Sequence, residues 1–118
     1  MTTPPVRIGF LGAGLIATYH SKSLRRSGVT VERAGVFDPD RARAEAFAAA
    51  SGHTVVDSED AVIDGCDAVY VCTWTSEHPR LLGAAVARGR HVFCEKPLAF
   101  DATTAMRMAT AEIGRAHV

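Results

Sequence analysis

Apolar and polar positions alternate between two rhythms from Val6 onward. Val6–Leu11 is a short apolar run with one charge that ends in Gly12, which predicts a strand. Residues 15–27 predict a helix, with Leu15, Ile16 and Tyr19 near one face and Gly28 as the stop. A second strand is predicted over Val31–Phe37, broken by Asp38, Pro39 and Asp40. Asp40 is placed to cap an alanine-rich helix over residues 41–50 that Gly52 closes. Ala42, Ala46 and Ala49 would let that helix lie close to a sheet. A short strand (54–56), a short helix (59–63) and a strongly apolar strand (67–72) follow. Residues 76–88 then carry Leu81, Leu82, Ala85 and Val86 at helical core spacing, His91–Cys94 is a last strand, and Asp101 caps a final helix over 101–111. Strands alternating with helices predict an α/β fold, a doubly wound parallel sheet with helices on both faces and right-handed crossovers.

Composition narrows this picture without changing it. With 118 residues, 47% of them hydrophobic and 22% charged, the chain is sized for a single domain with one core. Thirteen basic and thirteen acidic side chains cancel, so no global field draws nucleic acid or an anionic membrane. Cys66, Cys72 and Cys94 lack a C-x-x-C spacing and complete no metal set, so no metal site is expected. Cys72 and Cys94 sit in strand-like runs, where a thiol behaves as a small core residue. The amino terminus has no basic region followed by an apolar stretch, and no window is long enough to span a bilayer. Together these point to a soluble protein in a reducing, cytoplasmic setting.

Ligands of such sheets collect at the carboxyl ends of the strands, where the strand order reverses. Four short segments fall there. Gly12-Ala13-Gly14-Leu15-Ile16-Ala17 is a G-x-G-x-x-A between a strand and a helix. Gly12 permits the tight turn, Gly14 lets a pyrophosphate approach the backbone, and Ala17 allows the helix to pack closely on the strand. The N–H groups opening that helix can hold phosphate charge. Asp38 ends the second strand, where a carboxylate accepts hydrogen bonds from ribose hydroxyls and repels a 2′-phosphate; it can equally form an Asx-turn before Pro39. Arg41 is close enough to stack on adenine or meet a phosphate, so NAD is favoured over NADP without excluding it.

The third segment runs from Thr73 to His78. Its hydroxyls can cap the next helix or touch a ligand, and His78 is either a structural first-turn histidine or a functional one. The fourth is Glu95-Lys96-Pro97. Pro97 restricts Lys96 to extended geometry, and the ammonium can reach a nicotinamide ribose, a substrate hydroxyl, or simply Glu95 as an ion pair.

Taken together, these segments resemble the glucose–fructose oxidoreductase, inositol dehydrogenase and rhizopine-catabolism (Gfo/Idh/MocA) family of Rossmann-fold enzymes. The resemblance rests on G-A-G-L-I-A from Gly12, Asp38, D-A-V-Y-V-C-T from Asp67, His78, and H-V-F-C-E-K-P-L-A from His91. It implies that Gly12, Gly14, Leu15 and Ile16 cradle the pyrophosphate, that Asp38 holds the adenosine ribose, and that Thr73 and His78 wall the cofactor. It further implies that Glu95 and Lys96 meet the nicotinamide end, with Lys96 the catalytic residue touching a substrate hydroxyl. The implied reaction is hydride transfer between a nicotinamide ring and a secondary alcohol of a sugar, inositol or related polyol. The implied whole enzyme is a homo-oligomer. Trp74-Thr75 departs from the family, which more often has proline followed by asparagine or threonine; a tryptophan there can narrow the pocket or stack near the cofactor.

Family enzymes also carry a carboxyl-terminal α/β domain supplying an acid–base histidine with a nearby aspartate, and nothing after Ala111 can do this. Ile113-Gly-Arg-Ala-His-Val118 fits the last helix poorly and coincides with the translation of a common sequencing adapter. The expectation is therefore a nucleotide-binding domain over residues 1–111, a non-native tail over 112–118, an absent substrate domain, and a fragment without turnover of its own. A stand-alone module that binds NAD without catalysis is the alternative, and an imine or biliverdin-like reductase would keep the enzyme but change its substrate.

Overall fold

The structure, a computed structural model, describes residues 4–94. Five strands and four helices alternate along it: β1 Val6–Leu11, α1 Leu15–Arg26, β2 Val31–Phe37, α2 Arg41–Ser51, β3 Thr54–Val55, α3 Glu59–Asp64, β4 Ala68–Val71, α4 His78–Ala87 and β5 His91–Cys94. A 3₁₀ turn over Thr75–Glu77 leads into α4, so the helix expected from residue 76 begins two residues later. The helix expected over 101–111 lies outside the described residues. No helix among those described is long and apolar enough to cross a membrane.

All pairings are parallel and the strand order is β3-β2-β1-β4-β5. The chain steps outward from β1 to β2 and β3, then returns to lay β4 against the other side of β1. The order therefore reverses between β1 and β4, and their carboxyl ends, Leu11 and Val71, stand in register.

Two apolar clusters sandwich the sheet. One gathers Leu11, Val69 and Val71 with Val62 and Ile63 of α3 and Leu81 and Ala85 of α4. The other gathers Ile8, Phe10 and Val36 with Ala17 of α1 and Phe47 of α2. Phe10 is fully buried, its ring 5.0 Å from that of Phe47 and 4.8 Å from that of Tyr70. Cys66 is buried in the first cluster, and burial pushes its thiol pKa up; Cys72 and Cys94, the thiols expected in the core, are partly buried and pack against the two clusters.

The helices sit where expected, but two of them present different faces. On α1 the buried positions are Ala17 and Ser21, with Leu24 packed behind them, while Leu15, Ile16 and Tyr19 are exposed. Ala17 is fully buried in the cluster that holds Ile8 and Phe10 of β1, and that packing sets the rotation of the whole helix. On α2 the buried face is Ala44, Phe47 and Ser51, and Ala42, Ala46 and Ala49 face outward. Among many alanines the one large apolar side chain, Phe47, decides the phase, because burying it gains far more than burying a methyl group. The caps are as expected: the Asp40 side chain accepts from Arg43 N–H at 3.2 Å, and Gly52 ends the helix.

At the amino ends of β1 and β4, Asp67 accepts from the Arg7 backbone N–H at 2.9 Å and from both Nε and Nη2 of its guanidinium. The guanidinium and N–H of Arg7 hold the Asp67 carboxyl below the usual carboxylate range. Asp67 thus closes the end of the strand it was expected to begin; both side chains are half exposed, so the pair serves register more than stability.

Candidate functional site

The segment after β1 is stitched to both neighbouring strands. Gly12 N–H donates to the Phe37 carbonyl at 2.8 Å, and Cys72 N–H donates to the Leu11 carbonyl at 2.7 Å. Gly12 has φ +94°, and a Cβ there would lie 2.5 Å from the Cys72 carbonyl oxygen. Backbone conformation and space therefore both require glycine. Gly14 differs: its φ is −85°, and a Cβ would meet nothing within 4 Å. It is the N-cap of α1, no side chain caps that end, and the first turn holds no acidic residue. The opening N–H groups of α1 thus face open space at the point where the strand order reverses, with the partial positive charge of the helix dipole behind them.

Asp38 is buried, and both of its oxygens are engaged. Oδ2 accepts from Ala13 N–H at 2.9 Å and Oδ1 from Asp40 N–H at 2.8 Å. The second bond is the Asx-turn weighed as an alternative. The first ties the end of β2 to the glycine loop, and neither sequence spacing nor motif had signalled it. Each carboxylate oxygen carries a second lone pair, so the same group can still accept a ribose hydroxyl. Arg43 lies 4.0 Å from Oδ2 and offsets the buried charge. Arg41, the expected contact, is drawn away to Asp57 at 3.0 Å and Glu45 at 3.4 Å. Sequence spacing did not single out Arg43 as the arginine beside Asp38, because the first turn of α2 carries two arginines and only the helix phase distinguishes them.

After β4 the chain passes directly beside Gly12. His78 is buried, and its Nε2–H donates to the Thr73 carbonyl at 3.0 Å, while Glu77 N–H donates to the Trp74 carbonyl at 2.9 Å. His78 therefore sits beneath this loop and holds its backbone, and Trp74, 81% exposed, stands at its rim. Glu95 and Lys96 lie outside the described residues. The structure brings together Gly12, Gly14, Leu15, Ile16, Asp38, Thr73 and His78 around the carboxyl ends of β1, β2 and β4, with the Arg41 guanidinium paired to Asp57 and Glu45.

An uncapped helix end behind two glycines, with an acidic residue on the adjacent strand, is the arrangement that holds a dinucleotide pyrophosphate and its ribose. The model of the Gfo/Idh/MocA family, described as an oxidoreductase family with an NAD-binding Rossmann fold, matches residues 6–117. The chain belongs to this family. An inositol 2-dehydrogenase of Cereibacter sphaeroides is 41% identical over 109 residues, covering 91% of this chain and 33% of that protein. An inositol 2-dehydrogenase of Leifsonia xyli is 37% identical over 123 residues, covering 99% of this chain and 36% of that protein. Among solved structures, the WlbA dehydrogenase of Bordetella pertussis, in complex with NADH and UDP-GlcNAcA, superposes with a TM-score of 0.85 at 26% identity, covering 96% of this chain and 35% of that one. The chain spans about a third of the length of these Gfo/Idh/MocA relatives, and what it contains is the family's NAD-binding Rossmann fold.

Proposed function

We propose that this chain is the cofactor-binding part of an NAD-dependent oxidoreductase that exchanges a hydride between a nicotinamide ring and a secondary alcohol of an inositol, related polyol or sugar. The observation that carries the reading is the uncapped start of α1 at Gly14, open in front and anchored to Asp38 through Ala13. NAD would supply the hydride-accepting ring. The N–H groups at Leu15 and Ile16 hold the pyrophosphate, and Asp38 accepts from the adenosine ribose and disfavours a 2′-phosphate. Thr73 lies on the adjoining loop, which His78 positions from below. Glu95 and Lys96 meet the nicotinamide end, and Lys96 holds the substrate hydroxyl and helps manage its proton. The inositol class is supported by the names of the relatives at 41% and 37% identity. The domain occupies residues 1–111, and the remaining acid–base group and the substrate walls come from a second domain of a homo-oligomeric, cytoplasmic enzyme.

The test begins with source DNA read past the codon for Ala111 and expression of the complete frame. Incubation with NAD and a panel of myo-inositol, other polyols and sugars, followed by nicotinamide absorbance, is expected to show oxidation of at least one alcohol. Lys96→Ala should then lower kcat by roughly a hundredfold or more. NAD binding without turnover of any alcohol would overturn the dehydrogenase reading and leave a binding module. Absence of NAD binding would overturn both.

A further inference from the structure

A second cleft, of about 430 Å³, opens at the opposite end of the sheet from the glycine loop. Its floor is Ile8 of β1 and Arg33 of β2, one wall is Ser21 and Arg25 of α1, and the other is Thr30 and His53. Thr30 lies in the connection from α1 into β2, which places the cleft at the amino ends of the strands, whereas Gly12 and Gly14 stand at their carboxyl ends.

Two arginines line this cleft, Arg25 and Arg33, and no carboxylate is among the residues lining it. Four arginines elsewhere on the described surface are matched by acids: Arg7 by Asp67, Arg41 by Asp57, Arg80 by Glu59 and Arg88 by Asp60. Arg25 instead donates to the Ala50 carbonyl at the carboxyl end of α2, at 3.3 Å. Arg33 makes no ion pair among the described residues, and its charge helps keep the His53 ring neutral. The bond to Ala50 accounts for part of Arg25, since a cation suits a helix carboxyl end, but it leaves Arg33 without a counter-charge.

Ser21 is the independent observation. It is 4% exposed, lines the cleft, and makes no hydrogen bond among the described residues. Other helical hydroxyls bond back to the preceding turn, Thr18 to the Gly14 carbonyl at 3.0 Å and Ser51 to the Phe47 carbonyl at 2.7 Å. A buried hydroxyl left without a partner is unfavourable and calls for something to bond it. His53 cannot, because its ring nitrogens are directed to the Ile8 carbonyl and to Ser51.

We propose that this cleft is a second binding site, for a small metabolite bearing an oxyanion (a phosphate monoester or a carboxylate), with Arg33 and Arg25 pairing with the anion and Ser21 donating to it. Arginine suits both groups because its planar donors match their oxygen pairs. The volume exceeds that of a bare ion and falls among clefts that hold small molecules. The site is separate from the dinucleotide crevice, so a ligand here would act on the enzyme without competing for NAD.

The experiment is a ¹⁵N-correlation titration of the 118-residue chain with inorganic phosphate and, separately, citrate, against sodium chloride at matched ionic strength. Saturable shifts are expected at Ser21, Arg25, Thr30 and Arg33, and the stronger of the two anions identifies the ligand class. Arg33→Gln, with a well-dispersed spectrum showing that it folds, should weaken binding roughly tenfold and leave the response to NAD as in the parent chain. Ser21→Ala should raise the ligand-free Tm yet diminish the anion-induced rise, a pair of signs that a merely structural serine would not give. Equal shifts with chloride, equal affinity in Arg33→Gln, or shifts confined to residues 12–17, where phosphate would occupy the dinucleotide site, would each overturn the proposal.

Discussion

Gly12 and Gly14 are equivalent letters in the motif, and the structure assigns them different physics. At Gly12 a Cβ collides with the Cys72 carbonyl and the backbone sits at positive φ, so Gly12→Ala should destabilise by about 3 kcal/mol or more. At Gly14 nothing is in the way and φ is ordinary, so Gly14→Ala should leave Tm within a few degrees, as expected for a small change at an N-cap. On the proposed reading its methyl group would nevertheless stand where the pyrophosphate comes, so NAD affinity should fall roughly tenfold or more, by calorimetry. Equal losses of stability in the two variants would refute this division. On the proposed reading Asp38 likewise has two tasks. Asp38→Ala should cost about 2 kcal/mol in thermal denaturation, because the buried Ala13 N–H and the part-buried Asp40 N–H lose their acceptor, and on the proposed reading it should reduce the preference for NAD over NADP roughly tenfold as the repelling charge disappears. Its place at the end of β2 was legible from spacing. Its bond to Ala13 was not, because that contact joins residues that only the sheet brings together.

At the scale of elements, boundaries were legible to within about two residues because caps and strand runs are local signals. The faces of α1 and α2 were not. A run of alanines carries almost no preference for one face, so the partner surface chooses, and here it chose Phe47 and Ala17. The turn from α2 into β3 shows what such packing does to a titratable group. His53, enclosed by Phe10 and Phe47, has its pKa lowered from 6.5 to about 4, chiefly by burial. The unfolded chain thus takes up a proton below about 6.5 that the folded chain refuses until about 4. This contribution to stability is complete above 6.5, is lost as pH falls between those values, and levels off below 4. Its full size is about 3 kcal/mol. Urea denaturation at pH 7.5 and 4.5 should show the loss in the parent chain, and His53→Gln should show it reduced by about that amount. Identical pH dependence in the two would place the effect elsewhere.

At the scale of the whole molecule, the site exists because β4 returns to pair with β1 on the side opposite β2. From the paired carboxyl ends of β1 and β4 the chain then leaves toward opposite faces of the sheet, to α1 and to α4, beside the glycine loop, the place where doubly wound sheets bind ligands. The chain as given should bind NAD, detectable by quenching of its single tryptophan, Trp74, which is exposed at the rim of the crevice. It should show no sustained turnover of polyols, because hydride transfer needs the alcohol oriented and its proton accepted, and the chain spans only about a third of its relatives' length. Steady NADH production by the purified chain would contradict that. The sequence by itself determined the alternation of strands and helices, the parallel sheet, the glycine loop between β1 and α1 and the acidic residue that follows β2, because each is written in neighbouring residues a few positions apart. Tertiary structure alone decided which faces of the helices are buried, which arginine approaches Asp38, that His78 supports its loop from below, and that two arginines share a cleft with a buried serine. Those outcomes depend on contacts between distant segments, and the energy that selects them appears only when the sheet has closed.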